Sequence, residues 1–240
     1  MAARLPFATT VGVPIGGYVP AIEWFSAGPH HAPENDVRDH AFAHHTKLYA
    51  SFLPSHCATA LKEESYLCLI PRLAWPYRQQ PLFVIEALTD ACVLCSFEGV
   101  GESDDSCWVP LVAGGKLRPK SEQTWMSAYG RNASRSMAQI LASPRDGLFA
   151  ASCFLHCGFT LEHPKINNTM VVDALFSWVQ TYLPNAGHHA YPGGARPHNG
   201  TNFKWIDTCA GPSGGEYWPP CNPSCPIIPK IATERVWLGQ

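Results

Sequence analysis

Two side chains in this sequence stand where acid–base chemistry is useful. The first is His156, in Gly147-Leu-Phe-Ala-Ala-Ser-Cys-Phe-Leu-His-Cys157. Leu148 to Ala151 is a short apolar run with the length and character of a buried strand. The run stops at Ser152-Cys153, and His156 follows just past it. Imidazole titrates near neutral pH, so a histidine held at the end of a buried strand and facing a cleft suits a general acid or base. The same residue can also be an ordinary, satisfied loop histidine. The second is Asp90, which closes Pro81-Leu-Phe-Val-Ile-Glu-Ala-Leu-Thr-Asp90. This is the clearest strand signal in the chain, with Leu82 to Ile85 continuously apolar. In open α/β sheets, ligands and reactive groups collect at the carboxyl ends of the strands. An aspartate there can equally cap the next helix, and the two roles are compatible.

The elements around these segments must bring them together. Thr124 to Ala142 reads as one amphipathic helix, with Met126, Tyr129, Met137, Ile140 and Leu141 near one face. It would return the chain from the first strand to the second. Lys47 to Leu73 is partly helical, and Pro71 to Gln80 breaks that pattern. Thr169 to Tyr182 reads as a helix ended by Pro184-Asn-Ala-Gly. Val11 to Phe25 is a loop holding at most one strand, and Gly12, Gly16 and Gly17 match no phosphate loop. Residues 187–200 are loop. Residues 207–229 form a Cys- and Pro-rich tail, too rich in proline for a helix or a central strand.

Composition narrows the class. Of 240 residues, 46% are hydrophobic and 15% charged, so the chain can build a core without many ion pairs. Net charge is −2 with no basic block, which disfavours nucleic-acid binding. Ten cysteines and 22 prolines point to disulfides and an oxidising compartment. Cys57 and Cys68 could close a local loop worth on the order of 2–3 kcal/mol. Asn132-Ala-Ser, Asn167-Asn-Thr and Asn199-Gly-Thr are glycosylation sequons. Met1 to Pro20 lacks the continuous apolar stretch of a signal peptide. No run reaches the ~18 apolar residues of a membrane span. Zinc is weakly indicated: Cys92-Val-Leu-Cys95 and Cys107 lack a second pair, and His30, His31, His40, His44 and His45 show no ligand spacing.

Asp90 followed by His156, at the ends of two successive strands, is the chain order of the α/β-hydrolase acid and base. Further pieces carry a family likeness. They are Pro81-Leu-Phe-Val-Ile…Thr89-Asp90, Ser152-Cys-Phe-Leu-His-Cys157, and Asp207-Thr-Cys…Trp218-Pro-Pro-Cys-Asn-Pro-Ser-Cys-Pro226. With them the chain resembles the pectin acetylesterase and Notum carboxylesterases over about residues 18–230, Tyr18 to Ser26 being the weaker match. The resemblance implies an α/β-hydrolase fold, catalytic roles for Asp90 and His156, and disulfides drawn from Cys57, Cys68, Cys153, Cys209, Cys221 and Cys225. It implies no cofactor and no metal, and a secreted or cell-wall location. The substrate would be an acylated polysaccharide or an acylated protein.

The family's Gly-x-Ser-Ala-Gly-Gly nucleophile motif and its glycine-rich oxyanion loop do not occur in these 240 residues. Ser26, in Trp24-Phe-Ser-Ala-Gly28, lacks the preceding glycine. Ser213, in Gly211-Pro-Ser-Gly-Gly215, has proline-rich neighbours instead of a strand and a helix. Residues 1–240 therefore read as the C-terminal portion of one α/β-hydrolase domain, with 207–229 as a tail within it. A non-catalytic, disulfide-stabilised binding protein descended from such an enzyme is the rival reading.

Overall fold

The computed structural model describes residues 10–18, 42–94, 120–159, 163–182, 203–209 and 220–225. Both strands read from the sequence are present. β1 is Phe83–Ala87 and β2 is Gly147–Ala151. They pair parallel and in register, Phe83 opposite Gly147 and Ala87 opposite Ala151. β5, Lys204–Ile206, pairs parallel on the far side of β2. Residues 12–16 line the free side of β1 through parallel bridges, Gly12 to Leu82 and Ile15 to Ile85. Backbone bonds from Phe83 N to Gly12 O, from Ile85 N to Pro14 O and from Gly16 N to Ile85 O, each 2.9 Å, hold them there.

A parallel sheet is covered on both faces, which is why its strands read as continuous apolar runs instead of alternating ones. Every residue of β1 and β2 is buried. Val84, Leu88, Leu148 and Ala150 pack on one face with Tyr18, Trp75, Met126, Tyr129, Met137 and Ile140. Phe83, Ile85, Phe149 and Ala151 pack on the other with Val171, Ala174 and Trp178. Helices α4 (Lys120–Ser136) and α5 (Ala138–Ala142) thus cover the first face. Helix α6 (Val171–Val179) covers the second. Ahead of the sheet lie α1 (Phe42–Leu48), α2 (Ser55–Leu61), a 3-10 stretch Lys62–Leu69 and α3 (Pro71–Ala74). The Cys57–Cys68 disulfide ties α2 to the 3-10 stretch, as the spacing suggested. Among the described residues no helix is long and apolar enough to cross a membrane.

Three sequence readings change. The single helix expected over Thr124–Ala142 is two, broken at Met137. The Ser136 carbonyl, which would continue the helical ladder, accepts the Tyr18 hydroxyl at 2.9 Å instead. The expected helix at Thr169 begins at Val171, because Thr169–Met170 (β4) pairs antiparallel with Lys165–Ile166 (β3). Asn167 and Asn168 between them have φ of 50° and 61°, the two left-handed residues of a tight hairpin turn. β5 lies in a segment given no strand, since three residues are too few for a period to show.

Gly147 opens β2 where the sheet is tightest. A Cβ there would lie 2.0 Å from the Phe83 ring. Gly147→Ala is therefore expected to lower stability by about 1–3 kcal/mol through overpacking. Urea denaturation of the two proteins measures this, and an unchanged midpoint would contradict the tight contact.

Candidate active site

The register of β1 and β2 continues past their ends. Leu88 N donates to Ala151 O at 2.8 Å, and Ala91 N donates to Leu155 O at 3.1 Å. Thr89 Oγ1 donates to Cys153 O at 2.9 Å. These bonds zip the segment after β1 to the segment after β2, so Asp90 and His156 arrive on the same end of the sheet. His156 Nδ1 and Asp90 Oδ2 are 2.8 Å apart. The other carboxylate oxygen, Oδ1, accepts the Val93 amide at 2.9 Å. The aspartate therefore caps the turn after it as well as holding the histidine.

The pair is asymmetric in its exposure. The Asp90 side chain is 2% exposed and that of His156 33%. Nδ1–H donates to the carboxylate, which leaves Nε2 as the ring's acceptor. The hydrogen bond to Asp90 raises the imidazole above its ordinary value, against a smaller opposing effect of burial. Gly16 forms a wall of this site with bare backbone. Its φ is +60°, and a Cβ there would stand 3.1 Å from His156 Nδ1 and Cε1 and 3.3 Å from Cys157 Sγ. Glycine meets both demands, the left-handed conformation and the close approach.

The Cys/Pro tail holds the histidine segment from the other side. Cys153 is bonded to Cys225, and Cys209 to Cys221. Asp207 Oδ2 accepts both Ser152 N and Asn222 Nδ2 at 2.7 Å. Cys221 N donates to Ser152 Oγ at 3.2 Å. Ser152 is the first residue past β2, so the tail grips the start of the loop that carries His156.

Asp90 and His156 are thus brought together, and Cys57, Cys68, Cys153, Cys209, Cys221 and Cys225 are all paired. Asn167 is exposed at its hairpin turn, whereas Asn132 is half-buried within α4. Ser26, Ser213, Cys95, Cys107, Asn199, His30, His31 and His40 lie outside the described residues. His44 and His45 fall in α1. Gly16, Glu86, Asp207 and Asn222 were given no role at this site from the sequence. Glu86 left the plainest trace, a lone charge inside the apolar Leu82–Leu88 run.

The family model for pectinacetylesterase matches residues 25–226. The chain belongs to the pectinacetylesterase family. It is 25% identical over 186 residues to palmitoleoyl-protein carboxylesterase NOTUM of Mus musculus, covering 76% of this chain and 31% of that protein. It is also 25% identical over 191 residues to pectin acetylesterase 7 of Arabidopsis thaliana, covering 75% of this chain and 41% of that protein. The chain therefore spans only about 31% and 41% of the lengths of these two relatives. Among solved structures it is similar to the Wnt deacylase Notum from Drosophila. That match has a TM-score of 0.59 and 22% identity over 91% of this chain and 49% of the other. The fold is accordingly the α/β-hydrolase fold of this family.

Two outcomes follow from the site. His156 has a raised value in the fold, so the charge-assisted part of its bond to Asp90 stabilises fully below the ordinary ~6.5 and is lost as pH rises through the folded value. Asp90→Asn removes that charge, and the His156 midpoint followed by NMR is expected to fall to or below ~6.5. A midpoint unmoved by the substitution would contradict the pairing. Removing the Cys153–Cys225 bond with a Cys153→Ala/Cys225→Ala variant is expected to cost about 2–5 kcal/mol in urea denaturation.

Proposed function

We propose that this chain supplies the acid–base pair of a serine carboxylesterase. The observation that carries the reading is the 2.8 Å bond between a fully buried Asp90 and a partly open His156, in a member of the pectinacetylesterase family. In this reading His156 Nε2 takes the hydroxyl proton of a serine as its oxygen attacks the ester carbonyl. The carbonyl–alkoxy bond then breaks, and the imidazolium passes that proton to the leaving alcohol. Water repeats the sequence on the acyl-enzyme, releasing the acid and restoring the serine. Asp90 keeps Nε2 unprotonated between steps and stabilises the imidazolium when it forms.

The attacking serine is not in a Gly-x-Ser-Ala-Gly-Gly motif of these 240 residues, so the reading places it in sequence outside them. The substrate class favoured is an acetyl ester on a pectin-like polysaccharide, as the name of the Arabidopsis relative states for that protein. A lipid acyl ester on a protein, as named for the Mus musculus relative, is second. An oxidising, extracellular setting is supported by the disulfides and by the exposed sequon at Asn167. The absence of the nucleophile motif favours one other reading, a non-catalytic descendant that binds without turnover.

The test is to sequence the transcript upstream of the Met1 codon and to assay its product on acetyl esters. The enzyme reading expects an in-frame strand–Gly-x-Ser-x-Gly–helix segment. It also expects hydrolysis that drops by at least about a hundredfold in His156→Ala. Hydrolysis by the 240-residue chain alone, lost in His156→Ala, would show that the serine is within it. An in-frame stop upstream, with no hydrolysis, would hand the case to the binding protein.

A further inference from the structure

Glu86 is an unusual occupant of β1. It is 2% exposed, on a strand flanked by β2 on one side and by the bridged 12–16 segment on the other. Side chains alternate along a strand, so Glu86 shares its face with Val84 and Leu88 and points into the cluster that holds Tyr18, Trp75 and Met126. Its Oε2 accepts the Tyr18 amide at 2.8 Å, and its Oε1 accepts the Ala87 amide at 3.0 Å. Among the described residues it forms no ion pair. The titratable groups that face it are Asp90 and, beyond Asp90, His156 and the exposed Cys157 thiol. The Tyr18 phenol is turned away, onto the Ser136 carbonyl.

We propose that Glu86 is a positioning residue that keeps its proton beside Asp90, ties the Gly16–Tyr18 turn to the acid strand, and leaves Asp90 to carry the negative charge felt by His156. This rests on the reading of Asp90 and His156 as the acid–base pair.

The forces on Glu86 oppose one another. Two amide donors favour a carboxylate. Burial disfavours it, and so does a second carboxylate alongside, because like charges in a water-excluded site do not both ionise. Burial acts most strongly here, the Asp90 charge and hydrogen bond add to it, and the two amides fall short, so the Glu86 carboxyl is held well above the usual range. The Cys157 thiol is pushed up by burial and by the same two acids. A neutral acid suits the position chemically. It offers two acceptor oxygens for the Tyr18 and Ala87 amides and an O–H for Asp90, whereas an amide side chain offers one acceptor oxygen. A second anion would instead hold the proton on His156 and keep it from acting as a base near neutral pH. The tie also reaches the imidazole through the backbone. The Tyr18 amide is two residues from Gly16, whose backbone packs on the ring.

The experiment uses the 240-residue chain and needs no ester hydrolysis, so it can fail while the catalytic reading stands, and the reverse. In the wild-type protein, the Glu86 carboxyl carbon is followed by NMR after 13C-glutamate labelling. Its midpoint is expected well above the ordinary ~4.3 of a glutamate, and a midpoint at or below that value overturns the proposal. A second readout is His156 in Glu86→Gln. Exchanging one neutral group for another leaves its midpoint within about 0.3 units, whereas a larger fall would mean that a real charge had been lost. The third is stability. A carboxyl raised in the fold binds a proton that the unfolded chain has released, so wild-type stability falls as pH rises above ~4.3. The unfolding constant of wild type relative to Glu86→Gln should therefore grow up to about tenfold per pH unit until Glu86 ionises in the fold. A ratio that stays flat as pH rises above ~4.3 overturns the proposal.

Discussion

The parallel, in-register pairing of Phe83–Ala87 with Gly147–Ala151 is the constraint on which the rest depends. It fixes where each strand stops, and the bonds that continue it fix how far each chain travels before it turns. Side chains alternate along a strand, so a slip of one residue would send Val84 and Glu86 to the face of Trp178 and would dismantle both clusters. Asp90 and His156 meet only because both strands end level. The carboxylate and the imidazole need no flexible reach, and the backbone spends little conformational freedom at the site itself.

Burying acids is the recurring problem of this molecule, and each one is handled differently. Asp146, fully buried ahead of β2, pairs with the Arg78 guanidinium and accepts the Leu82 amide at 2.9 Å. Beside it Lys204 donates to the Asp146 carbonyl, and burial brings that amine down to about 8. Arg78 is itself stacked 3.9 Å over Trp75, so the cation is fixed before it meets the acid. Asp207, only half-buried, accepts N–H donors from Ser152 and Asn222. Asp90 has an imidazole. Glu86 has two amides and, among the described residues, no cation, and burial holds its carboxyl well above the usual range.

The strands, the helix that links them and the placing of Asp90 and His156 at the strand ends were legible because each leaves a pattern over many residues. Leu82 to Ile85 and Leu148 to Ala151 are apolar runs, and Met126, Tyr129 and Met137 recur at helical spacing. The Cys57–Cys68 bond was legible because its loop is short. What escaped depends on distant partners or on very short elements. Nothing near Met137 announces a break whose cause is the Tyr18 hydroxyl, 118 residues away. The Asn167-Asn168 turn was readable in principle, since asparagine tolerates left-handed backbone, but strands of two residues give no period to join it to. Gly16 looked like one more loop glycine until the imidazole was seen against it. The grip of Asp207 and Asn222 on Ser152 spans 55 and 70 residues and has no local signature.

The bond between Cys153 and Cys225 gives the site a history. Its two halves are 72 residues apart, and the second follows His156 in the chain. During synthesis the strand and the histidine leave the ribosome first, and what pins the loop behind them comes later. The imidazole can meet Asp90 early, but the tail grips its loop only once Cys225 has emerged and both thiols have been oxidised. Assembly of the Asp90–His156 pair and its immobilisation are then separate events, the second governed by the redox conditions through which the chain passes.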